Sequence, residues 1–182
     1  RPKMGFLGTL DPLATGVLPV FIGKATKLIP AFEGLDKAYR VTIRLGERTD
    51  SYDADGAVLS RQPTGHLRPE DVREAVLALQ GELTQRPPAF SAIKHEGVPA
   101  YRLARQGRPV PEKPRRVRVW DVTVEALALP AATFSLACSA GTYVRSLAHD
   151  IGERLGVGAH VRALRRRRCG EAFTLERAWT LE

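Results

Sequence analysis

The chain has 182 residues, 43% of them apolar, which suits one well-filled domain and is ordinary for a soluble globular protein. No stretch approaches the roughly 20 apolar residues that cross a bilayer, and no signal-peptide pattern opens the chain. The net charge of +8, carried by Arg far more than Lys, suits a polyanionic partner, because guanidinium matches phosphate bidentately and stacks on bases. An Arg-favouring genome or thermal adaptation would give the same balance. Cys138 and Cys169 lie far apart without metal-ligand spacing, and read as reduced, buried thiols of a cytoplasmic protein. The four histidines are scattered as well, so no metal is expected.

In chain order, residues 1–36 read as a glycine-punctuated loop, a buried apolar strand from Val17 to Gly23, and a helix-like tail over Lys24–Phe32. Tyr39 to Leu45 alternates, with Tyr39, Val41, Ile43 and Leu45 on one face, which predicts a half-buried strand. Asp50–Gly56 is an acidic turn. It lacks the fixed spacing and terminal Glu of a calcium loop. Pro69, with Glu70 and Asp71 behind it, opens a helix to about Gln80 whose inner face is Val72, Val76 and Leu79. Gln85–Ala92 is a proline-stiffened loop, followed by a short helix near Tyr101–Gln106. Val117–Ala126 and Thr133–Ser139 are strand candidates. Gly141–Leu155 is a turn feeding a helix with Leu147, Ile151 and Leu155 on one face, ended by Gly156. A final segment over Ala159–Arg168 has no assigned structure. Strands and helices mix without a βαβ rhythm, which favours an α+β fold on an antiparallel or mixed sheet, in a single domain.

The most informative segment is Gly8-Thr9-Leu10-Asp11-Pro12-Leu13-Ala14-Thr15-Gly16. Pro12 pushes Asp11 out of the helical region, and the flanking glycines and short side chains let another surface come close. An Asp-Pro pair alone is usually a turn. The nine residues together resemble the nucleophile motif G-T-L-D-P-x-A-T-G of the TruB-type pseudouridine synthases. Lys37-Ala38-Tyr39-Arg40-Val41 resembles that family's second motif. Gly46-Glu47-Arg48-Thr49-Asp50 through Gly56 is similar to its next block, and Gln85–Lys94 to its Q-x-P-P-x-x-S-A-x-K segment. Gly141-Thr142-Tyr143-Val144-Arg145 matches G-T-Y-[IV]-R, and Gly158–Arg166 the block after it. The matches follow the family's order over nearly the whole chain. One departure is Gly5-Phe6-Leu7-Gly8, where the family carries G-H-T-G.

The resemblance implies the pseudouridine synthase catalytic fold, α+β with a mixed sheet and an RNA-binding cleft, and conversion of uridine to pseudouridine without cofactor or metal. It makes Asp11 the attacking carboxylate and Arg145 the cation that holds it charged and aimed. Tyr39 becomes the ring that stacks on the extruded uracil and can move a proton. Without the resemblance, Arg145 would be a solvated helix residue and Tyr39 plain core. Thr9, Tyr143, Leu164, Lys94, Arg165 and Arg166 are the substrate-binding candidates. Tyr143 and Leu164 would serve as site walls, and the run Arg165–Arg168 as phosphate contacts. The expected partner is the T-arm of tRNA, with the uridine at tRNA position 55 as target, bound by a monomer. Residues 1–182 are expected to form one catalytic domain lacking its N-terminal strand, with no separate C-terminal RNA-binding domain. Three other readings are a non-catalytic RNA-binding protein or chaperone on the same scaffold, a dyskerin-like synthase in a guide complex, and a phosphate-binding enzyme. The last lacks the Lys-Ser/Thr of a P-loop.

Overall fold

The computed structural model describes residues 1–180 except 92, 96 and 112, and the side chains of Lys94 and His95 also lie outside the described residues. Its centre is a mixed sheet of seven strands. The strands in chain order are β1 (Met4–Phe6), β2 (Ala14–Gly16), β3 (Val20–Ile22), β4 (Lys37–Leu45), β5 (Glu47–Thr49), β6 (Val58–Arg61) and β7 (Gly81–Gln85). They continue as β8 (Lys94–His95), β9 (Val98–Pro99), β10 (Arg115–Ala128), β11 (Ala131–Cys138), β12 (Ala159–Cys169) and β13 (Phe173–Thr174). The helices are α1 (Ile29–Phe32), α2 (Pro69–Leu77), α3 (Ala100–Arg105) and α4 (Val144–Arg154). The sheet runs in the order β13-β12-β4-β11-β10-β7, antiparallel throughout, and β2 adds to β12 in parallel. That pairing makes it a mixed sheet, and the α+β expectation holds.

β4 carries the expected alternation. Tyr39, Val41, Ile43 and Leu45 are buried, and Arg40 and Arg44 point to solvent on the opposite face. Phe134 and Leu136 of β11, Val161 and Leu164 of β12, and Leu147 and Ile151 of α4 complete one core with α2. Each such side chain, fully buried, stabilises the fold by roughly 1.5–3 kcal/mol. Gly152 on α4 is what lets β12 begin so close to the helix, since a Cβ there would lie 2.1 Å from the Ala159 nitrogen. α2 starts at Pro69 as expected but ends at Leu77, earlier than Gln80. Leu79 and Gln80 there donate to Val76 and Leu77, tightening the last turn before β7.

Three expectations change. Val17–Gly23 is a half-buried segment rather than a buried strand. Val17 and Phe21 are buried while Leu18, Val20 and Ile22 are exposed, because β3 within the segment pairs only with β1, in a two-stranded antiparallel sheet. The tail over Lys24–Phe32 is a 3-10 turn at Gly23–Leu28 followed by the single turn of α1, with no fully buried residue. The unassigned segment Ala159–Arg168 is β12, the strand that joins β2 to β4. β7, over Gly81–Gln85, has no counterpart among the expected elements.

Candidate active site

The Asp11 loop is anchored to the sheet rather than free. Ala14, Thr15 and Gly16 pair in parallel with Leu164, Arg165 and Arg166, which lie opposite Val41, Arg40 and Tyr39 of β4. Gly16 sits at φ +102, and a Cβ there would lie 2.1 Å from the Arg166 carbonyl oxygen, so only glycine allows this approach. Ala14 donates to the Asp11 carbonyl at 2.8 Å, closing a turn that leaves the Asp11 side chain at the rim. It is 30% exposed.

Arg145 arrives from the first turn of α4. Tyr143 stands just before it, extended, and the buried Gln85 amide holds both its backbone groups. Gln85 Oε1 accepts from the Tyr143 N–H at 2.7 Å, and Nε2 donates to the Tyr143 carbonyl at 2.9 Å. Ser146 Oγ donates to the Arg86 carbonyl at 2.7 Å, tying the proline-stiffened loop to the same helix start. Arg145 is 5% exposed, not solvated. Its Nε donates to Asp11 Oδ2 at 3.0 Å and Nη2 to Asp11 Oδ1 at 2.9 Å, a bidentate pair between groups 134 residues apart. Nη1 donates to the Ser51 carbonyl at 2.9 Å and Nη2 to the Phe90 carbonyl at 3.0 Å.

A second carboxylate stands behind the first. Asp53 Oδ2 lies 3.6 Å from Arg145 Nε in a site where both side chains are buried. Asp53 Oδ1 accepts from Ser51 Oγ at 2.6 Å and from the Asp55 N–H at 3.1 Å. Tyr52 and Ala54 on either side bond the backbone of Val161 on β12, so the acidic turn is stitched to the same strand that carries the Asp11 loop. Tyr52 holds φ 64, unusual for a non-glycine residue, and its ring stacks on His149 of α4 at 4.1 Å. Burial holds the His149 imidazole below its ordinary value. A cavity of about 750 Å³ opens beside Tyr52, Phe90 and His149, and neither Asp11 nor Tyr39 lines it.

Tyr39 faces the core from β4 and is 9% exposed. Burial pushes its phenol up to about 12, with the neighbouring Cys138 acting in the same sense and the Arg166 guanidinium against the ring's hydroxyl pulling it down. Leu164 is buried in the core cluster beside Leu13 and Ala14. Tyr143 lies under the Arg115 guanidinium, 5.5 Å from its ring centre, and Thr9 is exposed beside Asp11. Lys94 is on β8, and its side chain lies outside the described residues.

The Arg165–Arg168 run divides by strand parity. Arg165 and Arg167 are exposed, and Arg168 pairs with Glu171. Arg166 corrects the phosphate expectation: it is 1% exposed and donates inward to the Val17 and Gly8 carbonyls, because its position opposite Tyr39 places it on the core face. Asp53 and Gln85 are members of the site that sequence reasoning did not single out. Both stand inside motif blocks already quoted, which is where a signal for them existed. A carboxylate gripped at both oxygens yet open on one side can attack an electrophilic carbon or take a proton without first reorganising.

Residues 1–144 match the family model for the N-terminal domain of TruB family pseudouridylate synthases, and residues 145–182 the model for the tRNA pseudouridylate synthase B C-terminal domain. The chain therefore belongs to the TruB family of pseudouridylate synthases. It is 51% identical, over its whole length, to tRNA pseudouridine synthase B of Geobacter sulfurreducens, of which it covers 60%. It is 47% identical over 180 residues to the protein of the same name from Opitutus terrae, covering 99% of this chain and 74% of that one. The chain thus spans about 60% of the length of the first of these relatives. Among solved structures, a Cbf5-Nop10-Gar1 complex contains a chain 32% identical with a TM-score of 0.68, over 92% of this chain and 40% of that one. An H/ACA ribonucleoprotein bound to a substrate RNA containing 2'-deoxyuridine contains one 29% identical with a TM-score of 0.65, over 92% and 39%. The boundary between the two family models falls inside the first turn of α4, and β12 beyond it pairs along β4 before it. Among the described residues no helix is long and apolar enough to cross a membrane.

Proposed function

We propose that this chain is the catalytic domain of an isomerase that converts uridine to pseudouridine in tRNA, at position 55 of the T loop. The observation that carries the reading is the bidentate Asp11–Arg145 pair, formed on the family's two most specific motifs. The Asp11 carboxylate attacks C1′ as the N1–C1′ bond breaks and its electron pair leaves with the uracil. The freed uracil turns, the bond from C5 to C1′ displaces the carboxylate and frees Asp11, and the C5 proton leaves as N1 gains one. Atoms and electrons balance within the nucleoside, so the chemistry calls for no redox partner. Arg145 aims the carboxylate and balances its charge, while Asp53 and the Ser51 and Phe90 carbonyls hold Arg145 in place. Tyr39 supplies a flat ring for the uracil and a phenol that, pushed up to about 12, keeps its proton at neutral pH and can donate it.

Extruding a uridine costs a few kcal/mol, and contacts to the T-arm provide that energy. The +8 charge supplies attraction. Exposed Thr9 and Arg165 face solvent for contact, and Leu164 and Tyr143 wall the site. The enzyme works as a cytoplasmic monomer. The structural likeness to guide-complex chains favours a second reading, an RNA-guided synthase. The higher identity to a tRNA pseudouridine synthase B, 51% against 32% to the chain of the Cbf5-Nop10-Gar1 complex, supports the first reading. Tritium release from tRNA labelled at uridine C5 tests the proposal: release by the parent chain and none by Asp11→Asn is expected. Binding of tRNA without release by the parent would favour the non-catalytic RNA-binding alternative.

A further inference from the structure

We infer that Arg166 is a positioning residue that clamps the Asp11 loop from inside and ties it to Tyr39; the inference rests on the proposed function of this site. Arg166 reaches both ends of the loop. Nη2 donates to the Gly8 carbonyl at 3.1 Å, ahead of Asp11, and Nε to the Val17 carbonyl at 2.7 Å, behind it. Its own backbone carbonyl accepts from the Val17 N–H at 2.9 Å. Gly8, at φ +67, stands so near that a Cβ would lie 3.4 Å from Nη1.

The residue is 1% exposed and carries no ion pair among the described residues. A buried guanidinium without an anion costs free energy that an apolar side chain of similar volume would not. Fold stability therefore gives no reason for Arg here, whereas loop geometry does. A planar fork can donate in two directions at once, toward Gly8 and toward Val17, while a Lys ammonium is a point charge on a flexible stem. The same guanidinium lies against the Tyr39 phenol, directly across the β12–β4 pairing. One side chain thus joins the loop bearing Asp11 to the strand position opposite Tyr39.

The test compares the full chain with Arg166→Lys, Arg166→Met and, as an example of an exposed arginine, Arg165→Ala. Tritium release, tRNA affinity against salt, and amide hydrogen exchange of the Gly8–Gly16 segment are measured on each. Arg166→Lys is expected to lower kcat about 10²-fold, the cost of roughly a 1 Å misplacement, with KM and salt dependence unchanged and faster exchange in Gly8–Gly16. Arg166→Met does the same more severely. Arg165→Ala is expected to raise KM and flatten the salt slope by about one phosphate's worth. If Arg166→Lys behaves like Arg165→Ala, Arg166 is a phosphate contact and the clamp is overturned. Unchanged kcat with unchanged exchange overturns it too, as does failure of both Arg166 variants to fold, which would make the residue purely structural. If the parent itself releases no tritium, the proposed function fails, and the exchange of Gly8–Gly16 still decides the clamp.

Discussion

Replacing Arg145 by Met is the most searching perturbation of this site. Arg145 and Asp53 are both about 5% exposed, and Arg145 donates four hydrogen bonds, two to Asp11 and one each to Ser51 and Phe90. Removing one partner of a buried pair leaves the other charge uncompensated, at a cost of about 3–5 kcal/mol. Asp53 would keep Ser51 Oγ and the Asp55 N–H but lose its nearby cation. At about 2–4 °C per kcal/mol for a chain of this size, melting should fall by about 6–20 °C. Activity should vanish with the aim of Asp11. Adding Asp53→Asn to Arg145→Met removes the stranded charge and should restore part of the stability without restoring activity. Asp11→Asn alone, at a side chain 30% exposed, should abolish activity with little change in melting, since Asp53 still faces Arg145. Circular dichroism melts with tritium release on the same samples read both quantities. Arg145→Met melting within about 2 °C of the parent, less than 1 kcal/mol on the same scale, would refute the reasoning. So would a double variant less stable than Arg145→Met.

Gly16→Ala should lose both stability and activity, since the Cβ meets the Arg166 carbonyl at 2.1 Å on a backbone at φ +102. Urea unfolding should register a loss of at least about 1–2 kcal/mol, and a variant as stable as the parent would show the β2–β12 approach to be wrong. In alkali, Tyr39 is raised from 10.0 to about 12 and Cys138 from 9.0 to about 12, both first by burial. The folded chain therefore keeps two protons that the unfolded chain releases. Stability is fully present below pH 9 and falls as pH rises from 9 to 12, each proton contributing up to about 1.4 kcal/mol per pH unit. Tyr39→Phe should flatten the part of that fall above pH 10, as measured by denaturant unfolding across the range.

Local rules settled much of this molecule from the sequence alone. The alternation from Tyr39 to Leu45, the proline-capped start at Pro69, and the Gly141 turn into α4 follow from backbone preferences and side-chain period, which act over a few residues. The Asp11 loop and Arg145 were legible because their motifs are long and specific. Tertiary structure decided the rest. The arginine run reads as one basic patch in sequence, but pairing of β12 with β4 sets its parity, sending Arg165 to solvent and Arg166 into the core. Val17–Gly23 is as apolar as a buried strand and is only half covered, because burial depends on what packs against a segment and its partner is a lone edge strand. Asp53 looks like any turn aspartate until β12 bonds to its neighbours and brings it beside Arg145. Side-chain period and capping report on neighbours in the chain; which face of a strand is covered, and which distant charge stands opposite, is fixed only when the register of the sheet is formed.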